Sequence, residues 1–265
     1  MPVVLSLIIR GKRCVGNQLE PQMTYLSTPN AASASALTAK DQASFHGRLA
    51  AGLLIAQFIA MWAAFFILAP SINWPASLDE PPAIILPLIL EQSVPVFLGY
   101  LSYLIHALLL IPIAALIPAA LKMGVGMGRN ALAFGVLAGF AKALGITRWL
   151  FLMPALATSF VDPATSEGSR AALAAIYEAF NAYAGGVGEI LGVGLFAGIW
   201  TILMSATLIR SGARILGSAG IGAAILLFST LPSVIGIESP VLLTLSGILW
   251  QLWTFALAIF LWRLR

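Results

Sequence analysis

Hydrophobic residues in this chain come in long blocks with no alternation and little polar interruption: Leu49–Ala69, Val96–Leu121, Ala131–Leu152, Gly185–Ile209, Leu216–Ile235 and Val241–Trp262. About 20 helical residues cross the roughly 30 Å apolar core of a bilayer, so each block is long enough to span it. A strand is a poor spanning element here, because an open strand leaves backbone groups unsatisfied in lipid and none of the blocks alternates as a barrel strand does. The pattern predicts an all-α bundle of six transmembrane helices. A further apolar stretch, PPAIILPLILEQSVP at 81–95, is too short to span and is broken by prolines. It predicts a helix lying in the interface, or re-entering the membrane, in the first outer loop.

The polar gaps between blocks orient the bundle. Arg10, Lys12, Arg13, Lys40 and Arg48 precede the first block, Lys122 and Arg129 follow the second, Arg210 and Arg214 follow the fourth, and Arg263 and Arg265 end the chain. The intervening gaps hold Asp79, Glu80 and Glu91, then Asp162, Glu167 and Glu178, then Glu238, with Arg170 as their one basic residue. Short cytoplasmic segments retain Lys and Arg, so both termini are expected in the cytoplasm of a multi-pass inner-membrane protein. Residues 46–265 then form the transmembrane domain, and residues 1–45, rich in Ser, Ala and Thr toward their end, form a mobile cytoplasmic tail. In MPVVLSLIIRGKRC the basic residues follow the short apolar run, the reverse of a secretory signal, and Met23 is an alternative start to Met1.

Composition agrees and excludes several classes. Hydrophobic residues make up 60% of the chain and charged residues 9%, against roughly a quarter charged in a soluble domain. The net charge of +4 is spread singly over the ends of apolar blocks, which removes a nucleic-acid stripe from consideration. A single cysteine, Cys14, excludes an intrachain disulfide, a multi-cysteine zinc site and a Cys-ligated iron–sulfur cluster. With His46 at the cytoplasmic edge and His106 inside the second block, a bis-histidine haem has no support, and no cofactor or metal is assigned. No HExxH, GxSxG or Walker-type motif occurs, and GVGMGRN at 124–130 follows no strand and is expected to be a turn. These absences point away from an enzyme.

The candidate site residues are the charges that the blocks carry. Arg148 and Glu189 each lie four residues inside the outer ends of the third and fourth blocks. At 1.5 Å per residue both sit roughly 6 Å below that boundary, which predicts an ion pair. The pair either clamps two helices or lines an outward-facing pocket. Lys142 lies near the bilayer midplane, at a depth shared by His106, and the two are expected to share a polar cavity in which Lys142 loses its proton or pairs with an anion. Glu178, Asn181 and Gly185 recur at helical spacing and lead into Glu189, as a binding groove or as the solvated turns of a long helix. Gly188 and Gly192, then Gly194 and Gly198, offer small-residue patches for close packing, and Pro112 and Pro118 are expected to kink the second helix. Trp74, Tyr100, Tyr103, Trp149 and Tyr183 read as an outer aromatic belt, Trp262 as an inner one, and Trp200, Trp250 and Trp253 as deeper packing residues.

The segment NAYAGGVGEILG at 181–192, the Trp-bearing helix after it, RILG at 214–217 and HGRLAAGLL at 46–54 resemble an uncharacterised bacterial family of polytopic membrane proteins, classed only as a domain of unknown function. The resemblance covers roughly residues 46–262 and implies an inner-membrane bundle of six or seven helices, with no activity or site residues attached. Function is therefore read from the charges. The favoured reading is a binding module or accessory membrane subunit whose outward-facing pocket, near Arg148, Glu178, Asn181 and Glu189, holds a lipid or small molecule. Its partners would be the bilayer, such a ligand and another membrane protein. The alternative is a small-molecule or proton-coupled transporter using Lys142, His106 and Glu189, although no inverted repeat relates the two three-helix halves.

Overall fold

The computed structural model of the protein describes residues 31–237 and 240–264. Arg10, Lys12, Arg13, Cys14, Met23, Glu238 and Arg265, and with them residues 1–30 of the tail assigned to residues 1–45, lie outside the described residues; residues 31–45 of that tail are helical, as the start of the first helix. Among the described residues every regular element is helical. In chain order these are α1 (Ala31–Ile72), a short 3-10 helix (Ala76–Asp79), α2 (Pro82–Glu91), α3 (Ser93–Ala120), α4 (Val125–Leu150), α5 (Leu152–Val161), α6 (Glu167–Gly185), a π-helical segment (Gly186–Ala197), α7 (Gly198–Arg210), α8 (Arg214–Phe228), a second 3-10 helix (Leu231–Ile235) and α9 (Pro240–Arg263). Helix α6, the π segment and α7 form one continuous rod, and the described residues hold six helical rods long and apolar enough to cross a membrane.

Local chemistry sets the breaks. Asn73 in the left-handed region (φ 56°) and Pro75 end α1, and Lys122 (φ 50°) ends α3. Pro154 has no N–H for the Leu150 carbonyl, so the helix breaks at Phe151 and restarts as α5. Ser166 caps α6 by accepting from the Ser169 N–H at 3.2 Å, and Arg170 donates to the Phe160 and Asp162 carbonyls, each at 3.2 Å, at the end of α5. One expectation changes: GVGMGRN is not a turn, because α4 already begins at Val125; Pro112 and Pro118 both lie inside α3.

The six rods stand in a closed ring: α1 packs on α3, α3 on α4, α4 on the π segment, α7 on α8, α8 on α9, and α9 back on α1. Glycines decide the closest approaches. A Cβ on Gly145 would lie 2.7 Å from the Gly188 Cα and 2.8 Å from the Ala184 carbonyl oxygen, and one on Gly192 would lie 2.8 Å from the Lys142 backbone nitrogen. Gly188 and Gly192 therefore face α4, whereas Gly194 and Gly198 face Thr230 and Phe228 at the end of α8 and beyond it. The two small patches serve two neighbours, which places the rod between α4 and α8.

The half of the ring nearer the chain termini is filled. Leu110, Ile113, Trp200, Met204, Trp253 and Leu257 are buried there in one cluster. Trp200 meets Trp250 and Trp253 edge-on at centroid distances of 6.4 and 6.1 Å. At the other end, α2 covers the ring by packing on α5 and α6, and a second cluster of Ile85, Leu86, Tyr100, Trp149, Met153 and Tyr177 forms under it.

Candidate functional site

Between the two clusters lies a cavity of about 400 Å³, walled by α1, the turn at 74–79, α3, α4, the π segment, the end of α8 and α9. Its floor is polar. The Nδ1 of His106, on α3, lies 3.0 Å from the Gln57 carbonyl oxygen, while the Gln57 side-chain amide donates to the His106 carbonyl at 2.9 Å, so α1 and α3 are clamped by a reciprocal pair. A carbonyl only accepts, so Nδ1 carries the proton and the Nε2 of the neutral ring presents a lone pair to the cavity. Two donors meet it: Lys142 Nζ from α4 at 3.2 Å and Gln251 Nε2 from α9 at 3.4 Å. Lys142 Nζ also sits 4.6 Å from the centroid of the Trp250 ring, a cation–π contact. Trp250 is fixed in turn, since its Nε1 donates to Thr201 Oγ1 at 2.9 Å.

The second charged group lies six residues further along α4, about 9 Å up the helix axis. Arg148 Nη2 is 3.8 Å from Glu189 Oε1, its Nε donates to Asn181 Oδ1 at 3.1 Å, and its Nη1 donates to the Gly145 carbonyl at 2.9 Å. Asn181 passes the connection on by donating to the Leu78 carbonyl at 2.8 Å, which ties the rod to the covering turn. Gly185 leaves room for the guanidinium, whose Nη2 would lie 3.6 Å from a Cβ there. The wall between the two charged groups is aromatic: Tyr100 stacks on Trp149 at 4.9 Å and 4°.

Of the residues that the sequence singled out, the structure brings Lys142 and His106 together at the floor and Arg148, Glu189 and Asn181 together at the end nearer α2. Glu178 is exposed and does not line the cavity, so the helical face that starts there joins the site only from Asn181 onward. Tyr183 and Trp262 are exposed, whereas Trp74, Tyr100 and Trp149 face inward, buried at 9%, 1% and 2% exposure. Gln57, Gln251, Tyr100 and Trp250 are the site residues that the sequence reading missed. An uncharged amide inside an apolar block is the signal that could have found the first two, since burying an amide in a membrane costs free energy unless it has a partner. Several polar atoms remain without one. Gln251 Oε1, Tyr100 Oη and Trp74 Nε1 are buried and unpartnered in the cavity wall.

Glu189 stands within the π segment. A π turn holds an extra residue and widens the backbone, and such segments gather at functional positions. Here it spans the four glycines Gly186, Gly188, Gly192 and Gly194, where no side chain resists the wider winding. No group of three or more His, Cys, Asp or Glu side chains that could hold a metal ion occurs among the described residues. A family model described as Domain of unknown function (DUF4386) matches residues 49–262. No curated protein and no solved structure matches the chain.

Proposed function

We propose a function from the site alone, because the chain belongs to the DUF4386 family and that family's description carries no activity. The protein is a membrane binding module that holds an amphiphilic small molecule or lipid in the cavity between its helices. The observation that carries this reading is the cavity itself. It is about 400 Å³, within the roughly 300–1,000 Å³ typical of small-molecule sites, and it joins an apolar, aromatic wall to a few buried polar groups. Unpartnered donors and acceptors in that wall, Trp74 Nε1, Tyr100 Oη and Gln251 Oε1, are groups that a ligand would satisfy. The filled half of the ring beneath, with Trp200, Trp250 and Trp253 interlocked, supports binding over transport, for which a continuous path would be needed.

Native mass spectrometry of the protein released from nanodiscs tests the reading. Gly247 lines the cavity and has open space where a Cβ would stand, so Gly247→Phe fills the cavity without displacing backbone. The wild-type protein is expected to retain a bound molecule of fixed mass that the Gly247→Phe variant lacks. If the two proteins carry the same adducts, the cavity is not the binding site.

A further inference from the structure

The cavity floor is arranged for a positive charge and lacks a negative one. Lys142 is 5% exposed, and the groups around its Nζ are electron-rich: the Nε2 lone pair of His106 at 3.2 Å and the face of Trp250 at 4.6 Å. Both suit an ammonium donor. Yet among the described residues the one ion pair within 4 Å is Arg148–Glu189, so Lys142 has no carboxylate partner among them. An uncompensated charge at this depth in a membrane is costly, and such side chains pair with something. Along the cavity the charges of Arg148 and Glu189 offset one another and Asp79 adds a carboxylate in the turn at 74–79, so among the described residues Lys142 is the one charged side chain at the floor itself.

Size narrows the occupant. A cavity of about 400 Å³ lies toward the small end of the roughly 300–1,000 Å³ range of small-molecule sites, which suits a single-chain amphiphile better than a phospholipid with two acyl chains. The apolar side chains Met61, Phe65, Ile146 and Leu227 line the space above the floor and suit a hydrocarbon body.

We infer that the occupant is a single-chain amphiphile with an anionic head, of the fatty carboxylate class, whose head group seats on Lys142 at the cavity floor and supplies its missing counter-charge. This inference rests on the binding reading above and names the ligand class for the same site.

The test uses the full chain in phosphatidylcholine nanodiscs and two photoreactive diazirine probes of equal chain length, a laurate and a lauryl alcohol. Laurate is expected to label the wild-type protein with an affinity at least tenfold above that of the alcohol, and Gly247→Phe is expected to abolish labelling by both. Lys142→Met is expected to lower laurate affinity at least tenfold and to leave the alcohol within twofold. Should Lys142→Met fail to fold, the laurate-to-alcohol ratio of the wild-type protein decides by itself. Equal affinity for the two probes, or laurate affinity unchanged in a folded Lys142→Met, overturns the anionic head group while leaving the cavity reading intact. Loss of laurate labelling when phosphatidylglycerol replaces phosphatidylcholine assigns the site to a phospholipid head group and overturns the single-chain occupant. If neither probe gives labelling that Gly247→Phe removes, both readings fall.

Discussion

Replacing Glu189 by Gln and Arg148 by Gln, singly and together, measures what holds this end of the cavity. At 3.8 Å the pair is worth about 4 kcal/mol at an effective dielectric near 20 and about 1 kcal/mol at that of water. The Glu189 side chain is 37% exposed while that of Arg148 is 7% exposed, so solvent screening discounts the higher figure, and a coupling of about 1–2 kcal/mol is expected. The single changes should be unequal. Arg148→Gln also removes the bonds to Asn181 Oδ1 and the Gly145 carbonyl, which adds about 1–3 kcal/mol, whereas Glu189→Gln leaves the guanidinium held by both. The assay is reversible unfolding in mild detergent, with the interaction energy read from the four-member cycle. A coupling below about 0.5 kcal/mol, or a larger single effect at Glu189 than at Arg148, would refute the view that the guanidinium is the hub of this end of the site.

Glycine packing gives a contrast within one residue type. Gly145→Ala forces a methyl group toward the backbone of Gly188 and Ala184 and should destabilise by about 1–3 kcal/mol, whereas Gly222→Ala, with open space around it, should be neutral or stabilising by up to about 1 kcal/mol; thermal unfolding of the two variants checks this. Thr201→Val strips the acceptor from the buried Trp250 Nε1 and should cost about 1–3 kcal/mol in the same assay. For orientation, a green fluorescent reporter fused after Arg265 should fluoresce and alkaline phosphatase inserted after Thr165 should be active, which places the termini in the cytoplasm; the opposite pair of results reverses the bundle.

Depth was legible in the sequence, and direction was not. Counting residues from the ends of the apolar blocks places Lys142 level with His106 and Arg148 level with Glu189, because helical rise is uniform, and the structure finds both pairs in contact. The same count cannot say which way a side chain faces. Trp149 and Tyr100 therefore look like belt residues from their depth, although they stack against each other inside the ring. Charge marked Lys142 and Arg148 against an apolar background, while Gln57 and Gln251 carry no charge and were passed over, although one clamps His106 and the other meets its Nε2. The four-residue spacing of the glycines announces close packing of the rod. It does not announce the π winding that spans them, since glycine permits both geometries. Closure of six helices into a ring depends on contacts between elements far apart in sequence, such as α1 with α9, and no local pattern encodes that pairing.

Access to the cavity from one face of the membrane alone, and not from both, separates a binding module from a conduit. Gly247→Cys in a Cys14→Ser background puts one thiol in the cavity wall. Its reaction with a membrane-impermeant methanethiosulfonate reagent, in right-side-out and inside-out vesicles, measures access from each face. The expected result is modification from the outer face alone, slowed when laurate is present. Modification from both faces would contradict the binding account and establish a path across the membrane.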